Sequence, residues 1–139
     1  MTREDRLALL VRHQDAFLAR DAAALGAQHA EHGTFESPAH KVEGRKAIDE
    51  VYRYWFIAFP DLTLTWGPPV VDGSRAAIFW TLTGTSHGPF FGIVGAGQHG
   101  ELTGAAEYVI DDDTITSVRH IFDFSGLLMK TGVLKVKPA

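Results

Sequence analysis

An α+β domain whose sheet curls around a long aromatic helix is what this sequence predicts, on three observations. Apolar residues recur at helical spacing in two long stretches before Pro60; from Asp61 onward the period changes to two; and short turns separate consecutive strand-like segments, which favours antiparallel pairing. At 139 residues the chain has the length of one domain and can bury an ordinary core. No repeat, linker or low-complexity run divides it, so residues 1–139 are read as a single domain.

The elements follow in order. In residues 3–20, Leu7, Leu10, Val11, Phe17 and Leu18 recur at helical spacing, with Gln14 on the same stripe, and predict an amphipathic first helix. Asp21 is placed to cap a short alanine-rich helix over 21–32. GTFES, 33–37, is a brief strand before Pro38. After Gly44, Ile48, Val51, Tyr52, Trp55, Phe56 and Phe59 form the most regular helical stripe in the chain, which Pro60 ends. Segments 62–66, 75–85, 101–110 and 114–123 are predicted strands. Between them lie Pro68-Pro69, Asp72-Gly73, a glycine-rich loop from Gly92 to Gly100, and the acidic turn Asp111 to Asp113.

Side chains alternate between the faces of a strand, so parity predicts what each face carries. Ala76, Ile78, Trp80 and Leu82 share the inward face, and that parity continues through Gly84 to Ser86. In the last strand Ile115, Ser117, Arg119, Ile121 and Asp123 are expected on the pocket side, with Thr116, Val118, His120 and Phe122 on the other. A bulge would exchange the faces beyond it.

Composition excludes several functions. The formal net charge of −4 and the interspersed charges leave no basic stripe for a phosphate backbone, so nucleic acid is not an expected partner. With no cysteine, thiolate metal sites, disulfides and thiol nucleophiles are absent. The amino-terminal segment carries charge on both sides of a short apolar run and lacks a small-residue cleavage site, and no stretch approaches the ~20 apolar residues of a membrane span. A cytoplasmic protein with no membrane partner is expected. The pairs His29/His32 and His87/His99 lack the i, i+4 spacing of a zinc helix, so no metal site is assigned.

Three motifs, FPDLTL (59–64), DGSRAAIFWTLTGTSHGPFFGI (72–93) and FDFSGLLMKTG (122–132), together with FESPAHKVEGRKAI (35–48), resemble segments of the SnoaL-like polyketide cyclases, a branch of the nuclear-transport-factor-two-like superfamily. The resemblance implies a cone-shaped fold with helices packed on a strongly curved antiparallel sheet around a deep apolar pocket, often in a homodimer formed through the outer face of the sheet. It also implies ring closure by intramolecular aldol condensation on an apolar carbonyl-bearing small molecule, without metal or cofactor. The aspartate that acts as general acid/base in such cyclases corresponds to Asp123. Fold likeness alone does not license that chemistry, since isomerases, dehydratases and pure binding proteins share the scaffold.

The residues themselves give paired readings. Asp123 is a general acid/base if an apolar pocket raises its proton affinity, or a cap for the helical turn of FSGLLMK. Arg119 is a carbonyl or carboxylate anchor, or a solvated strand-end charge. His120 is an acid/base group by chemistry, but parity assigns it to the surface or a dimer face; Glu107 lines an outward dimer face, or is turned inward by a bulge as a second carboxylate, and the first needs no special geometry. Tyr52, Trp55, Phe56 and Trp80 are expected pocket walls, with Phe90 and Phe91 closing the mouth. The similar motif commonly has histidine where this chain has Ser86, which faces inward by parity; Gln14 is the one amide on a clearly apolar stripe. Two functions follow: a cyclase or isomerase acting by carbon-acid proton transfer, or a non-catalytic small-molecule-binding or dimerisation domain.

Overall fold

The computed structural model describes residues 1–135 and 137. Among the described residues four helices, α1 (Arg3–Leu18), α2 (Ala22–Ala27), α3 (Arg45–Ala58) and α4 (Phe124–Lys130), pack with nine strands: β1 (His29–Glu36), β2 (Lys41–Glu43), β3 (Thr63–Trp66), β4 (Val70–Asp72), β5 (Arg75–Thr85), β6 (Pro89–Phe90), β7 (Ile93–Val94), β8 (His99–Asp111) and β9 (Thr114–Phe122). Seven strands form one open sheet in the order β2-β1-β9-β8-β5-β3, with β4 also on β5, and β6 and β7 make a small separate hairpin. Among the described residues no helix is long and apolar enough to cross a membrane.

Local chemistry sets the helix ends. Thr2 and Asp5 form a reciprocal capping box at α1: the Asp5 N–H donates to Thr2 Oγ1 at 3.1 Å and the Thr2 N–H to Asp5 Oδ2 at 2.7 Å. The Asp21 carboxylate accepts from the Ala24 N–H at 3.0 Å and starts α2. That helix is shorter than its alanine content predicts. Residues 29–32 enter β1 instead, because His29 is fully buried there and β1 runs beside β9. The β1–β9 pairing is parallel, so the sheet is mixed rather than wholly antiparallel.

The long β5–β8 ladder, from Arg75↔Val109 to Thr85↔His99, is the spine of the concave face. Ala76, Ile78 and Trp80 of β5 and Leu102, Ala106, Tyr108 and Ile110 of β8 point inward and are buried against the helices. Trp80 is opposite Gly104, where a Cβ would overlap the indole and approach the Ile121 carbonyl oxygen to 2.6 Å. Only glycine lets the indole lie flat on the sheet there.

The last strand departs from simple alternation at one residue. Val109 pairs with Ser117 and Ile110 with Ile115, which leaves Thr116 as an extra residue in β9. Its hydroxyl donates to the Val109 carbonyl at 3.1 Å and closes the bulge. Every side chain beyond Thr116 therefore exchanges faces. Val118, His120 and Phe122 turn inward, whereas Arg119 and Ile121 are exposed on the outer face. The inward parity expected for Arg119, Ile121 and Asp123 is thus reversed, as is the outward one expected for His120.

The segment GTSHGPFFGI ends β5 and folds as a loop and hairpin against α3. The His87 and Gly88 N–H groups donate to the Ala58 carbonyl at 3.3 and 3.1 Å, and the Phe91 N–H donates to Tyr54 Oη at 2.6 Å. A Cβ at Gly88 would overlap the Ile57 carbonyl, so this close approach requires glycine. The stretch is a clamp on the end of α3.

Candidate active site

Between α1, α3 and the concave sheet lies a cavity of about 80 Å³. His13 and Phe17 reach it from α1, Val51, Tyr52 and Trp55 from α3, Trp66 from β3, Trp80 and Leu82 from β5, Leu102 and Tyr108 from β8, and His120 and Phe122 from β9. Among the described residues no carboxylate lines it. The polar groups are imidazoles, tyrosine hydroxyls, indole N–H groups and Ser37.

A hydrogen-bonded chain runs through the wall. His13 Nδ1 is 2.7 Å from Gln28 Oε1, Tyr52 Oη is 3.4 Å from His13 Nε2, and His29 Nε2 is 3.0 Å from Tyr52 Oη. An amide oxygen only accepts, so His13 carries its proton on Nδ1 and offers Nε2 as an acceptor. The order that gives each atom a complementary partner has His29 donating to Tyr52, Tyr52 to His13, and His13 to Gln28. Arg45 Nε donates to the His29 carbonyl at 2.7 Å and ties this chain to the start of α3.

His120 makes no side-chain hydrogen bond among the described residues. It lies among Phe35, Trp80 and Tyr108, with ring centroids 5.4, 5.9 and 6.2 Å away, and its Nδ1, like that of His29, is buried without a hydrogen-bond partner among the described residues. Trp66 Nε1 and Trp80 Nε1 are likewise buried and unpartnered. A polar atom left so costs about 1–3 kcal/mol, a cost that a ligand supplying the partner removes.

Burial decides the charge states. It pushes His13 down to about 4, partly offset by its bond to Gln28, and His120 down to about 3, with His13 adding a smaller effect. Burial again, then the charges of His13, His120 and Arg45, bring His29 to about 3. The phenols of Tyr52 and Tyr108 are raised by burial and remain protonated donors. At neutral pH the cavity is uncharged, with the His13 lone pair facing the Tyr52 O–H.

The expected site residues divide into three sets. Tyr52, Trp55 and Trp80 are in the cavity wall. Phe56 packs on Phe17 at 5.1 Å behind it, and Phe90, 1% exposed, backs Trp55 at 5.2 Å. Phe91 packs edge-on against Phe124 at 5.2 Å with a left-handed backbone, φ 46°, and neither Phe90 nor Phe91 lines the cavity. Gln14 is off the cavity because one residue on a helix is a turn of about 100°, and His13 takes the inward position. Ser86 is buried in an adjoining cavity, with its hydroxyl 3.4 Å from the Gln98 carbonyl.

Arg119 and Asp123 are exposed. Asp123 Oδ1 accepts from the Gly126 N–H at 2.9 Å as the N-cap of α4, and it is not in the cavity wall. Asp123→Ala is accordingly expected to lower stability by about 1 kcal/mol, read from chemical denaturation, without altering ligand binding in the cavity. Glu107 is exposed and pairs with Arg75 at 2.6 Å.

Sequence reasoning missed His13, His29, Tyr108 and His120 as a group. Leu10, His13 and Phe17 do stand at i, i+3 and i+7, a spacing that marks His13 as inward. The others depend on strand pairing between segments far apart in the chain. Among the described residues no cluster of three or more His, Asp and Glu side chains is arranged to hold a metal ion.

A family model described as SnoaL-like polyketide cyclase matches residues 8–130. Among solved structures, TsrD from Streptomyces laurentii superposes with a TM-score of 0.83 at 24% identity, over 96% of this chain and 99% of that one. A protein assigned as a SnoaL-like polyketide cyclase from Jannaschia sp. CCS1 gives 0.84 at 18%, over 95% and 94%. AclR of Streptomyces galilaeus, assigned as a hydroxylase, gives 0.83 at 22%, over 99% and 87%. These likenesses establish the fold. No curated protein matches the chain significantly.

Proposed function

Because the chain belongs to the SnoaL-like polyketide cyclase family, we propose that it processes a small, mostly apolar carbonyl compound by acid/base catalysis, with proton transfer next to the carbonyl as in aldol cyclisation or double-bond isomerisation. The observation that carries this reading is His120: a neutral imidazole in an apolar cavity, with a buried nitrogen that no described residue satisfies. It replaces Asp123 as the expected base.

In this mechanism an imidazole lone pair takes a proton from the carbon beside the carbonyl. Negative charge develops on the carbonyl oxygen, and the O–H group of Tyr108, which is not engaged in the His29–Tyr52–His13 chain, is the available donor to it. An empty-cavity pKa near 3 makes His120 a weak base. The enolate formed beside it changes that, because an adjacent negative charge favours imidazolium and burial strengthens the attraction. The His13 lone pair is engaged by the Tyr52 O–H, which leaves His120 as the base.

The test is exchange of deuterium from heavy water into the α-carbon of cyclohexanone. A saturable, protein-dependent rate supports the proposal; exchange no faster than in buffer defeats it. The absence of a carboxylate from the wall favours a second reading, a binding protein for apolar ligands, which predicts cyclohexanone binding without exchange.

The outer sheet face carries Phe79 and Ile121, 77% and 56% exposed, and supports pairing of two copies through it. Phe79→Glu is expected to convert a dimer to a monomer in sedimentation. A wild-type monomer at micromolar concentration would contradict that assembly.

A further inference from the structure

The concave face continues past the histidine cavity. Along β5 and β8 its inward pairs are Trp80↔Gly104, Leu82↔Leu102 and then Gly84↔Gly100. Leu82 and Leu102 line both the histidine cavity and a neighbouring one of about 450 Å³. The two spaces are therefore separated by one cross-strand pair of leucines. Beyond that ridge the floor has no side chains, since the next pair is glycine on glycine.

Those glycines are not equivalent. A Cβ at Gly84 would press on Phe59 and Leu62 at 3.2 Å, so its side is filled. A Cβ at Gly100 would meet only Lys130 Cδ, at 3.9 Å, so its side is open. Phe59 and Leu127 complete the apolar walls, and Lys130 reaches across the rim to donate to the Glu101 carbonyl at 3.1 Å. The inner cavity alone is far below the roughly 300–1,000 Å³ typical of ligand pockets.

We infer that the glycine-floored cavity beneath α4 is the second compartment of one ligand site, so that the ligand is an elongated ketone: a compact carbonyl head beside His120 and an apolar extension laid over Leu82 and Leu102. This rests on the acid/base reading only for the placement of the head. Leucine side chains are mobile enough to let an alkyl or aryl extension pass between compartments, and each buried CH₂ multiplies affinity by about four.

The experiment compares cyclohexanone with 4-pentylcyclohexanone by amide NMR titration of the full chain. The pentyl compound is expected to bind at least about tenfold tighter and to shift the Gly84, Gly100 and Leu127 signals, which cyclohexanone leaves in place. Gly100→Leu, whose side chain enters open space, should erase that advantage and leave cyclohexanone binding unchanged. If that variant does not fold, Leu127→Phe narrows the same compartment from α4. Equal affinities for the two ketones, or an advantage that survives both variants, overturns the inference. A cyclohexanone that shifts no signal of the histidine cavity counts instead against the acid/base reading. The compartment is then decided by whether the pentyl compound shifts Gly84 and Gly100.

Discussion

Between pH 7 and pH 5 the protein is expected to lose about 6 kcal/mol of folding stability through three buried histidines. In the unfolded chain each imidazole takes up a proton as pH falls through about 6.5. In the folded protein His13 stays neutral to about pH 4, and His29 and His120 to about pH 3. Across that window the unfolded state binds more protons, so stability rises with pH. Above about pH 6.5 both states are neutral and the histidines contribute no slope. At pH 5 each costs about 2 kcal/mol, which together is comparable to the whole stability of an ordinary domain. Urea denaturation at pH 7, 6 and 5 checks this, and His29→Phe should remove about a third of the slope if the ring packs without strain. A stability flat over this range would mean that the imidazoles are hydrated and ionise normally.

The second large effect concerns His120. His120→Gln keeps a polar group of similar reach but removes the basic nitrogen, and it is expected to slow cyclohexanone exchange by about 10²–10⁴-fold. The pH profile distinguishes proton transfer from mere packing. A base with its pKa near 3 stays in its active form throughout the folded range, so the wild-type rate should be flat from pH 8 to pH 6. An ordinary histidine would lose activity as pH falls through about 6.5. A fall in exchange over that interval, while the protein stays folded, would move the base to another group.

Much of the fold was legible because its signals are local. The stripe from Ile48 to Phe59 fixed α3, Asp21 its neighbour's start, and period-two segments located β3, β5, β8 and β9. What failed was non-local. The parallel pairing of β1 with β9 draws 29–32 out of a helix, and nothing in an alanine-rich segment announces a partner more than eighty residues away. The site turned on a single residue: the Thr116 bulge exchanges the faces of β9, sending Asp123 to a helix cap and His120 to the cavity. Alternation carries no mark of where an extra residue is inserted. The tail motif that carries the family likeness therefore holds a capping aspartate here, beside a histidine that parity alone assigns to the surface.

That contrast supplies the most direct measurement: deuterium exchange into cyclohexanone by Asp123→Asn and His120→Gln, assayed side by side at pH 7. Asparagine caps a helix about as well as aspartate, so the first variant isolates acid/base chemistry from stability. Full exchange by Asp123→Asn with near-complete loss in His120→Gln is the result expected if the cavity imidazole is the base. Loss of exchange in Asp123→Asn with His120→Gln still active would contradict it and return the chemistry to the carboxylate.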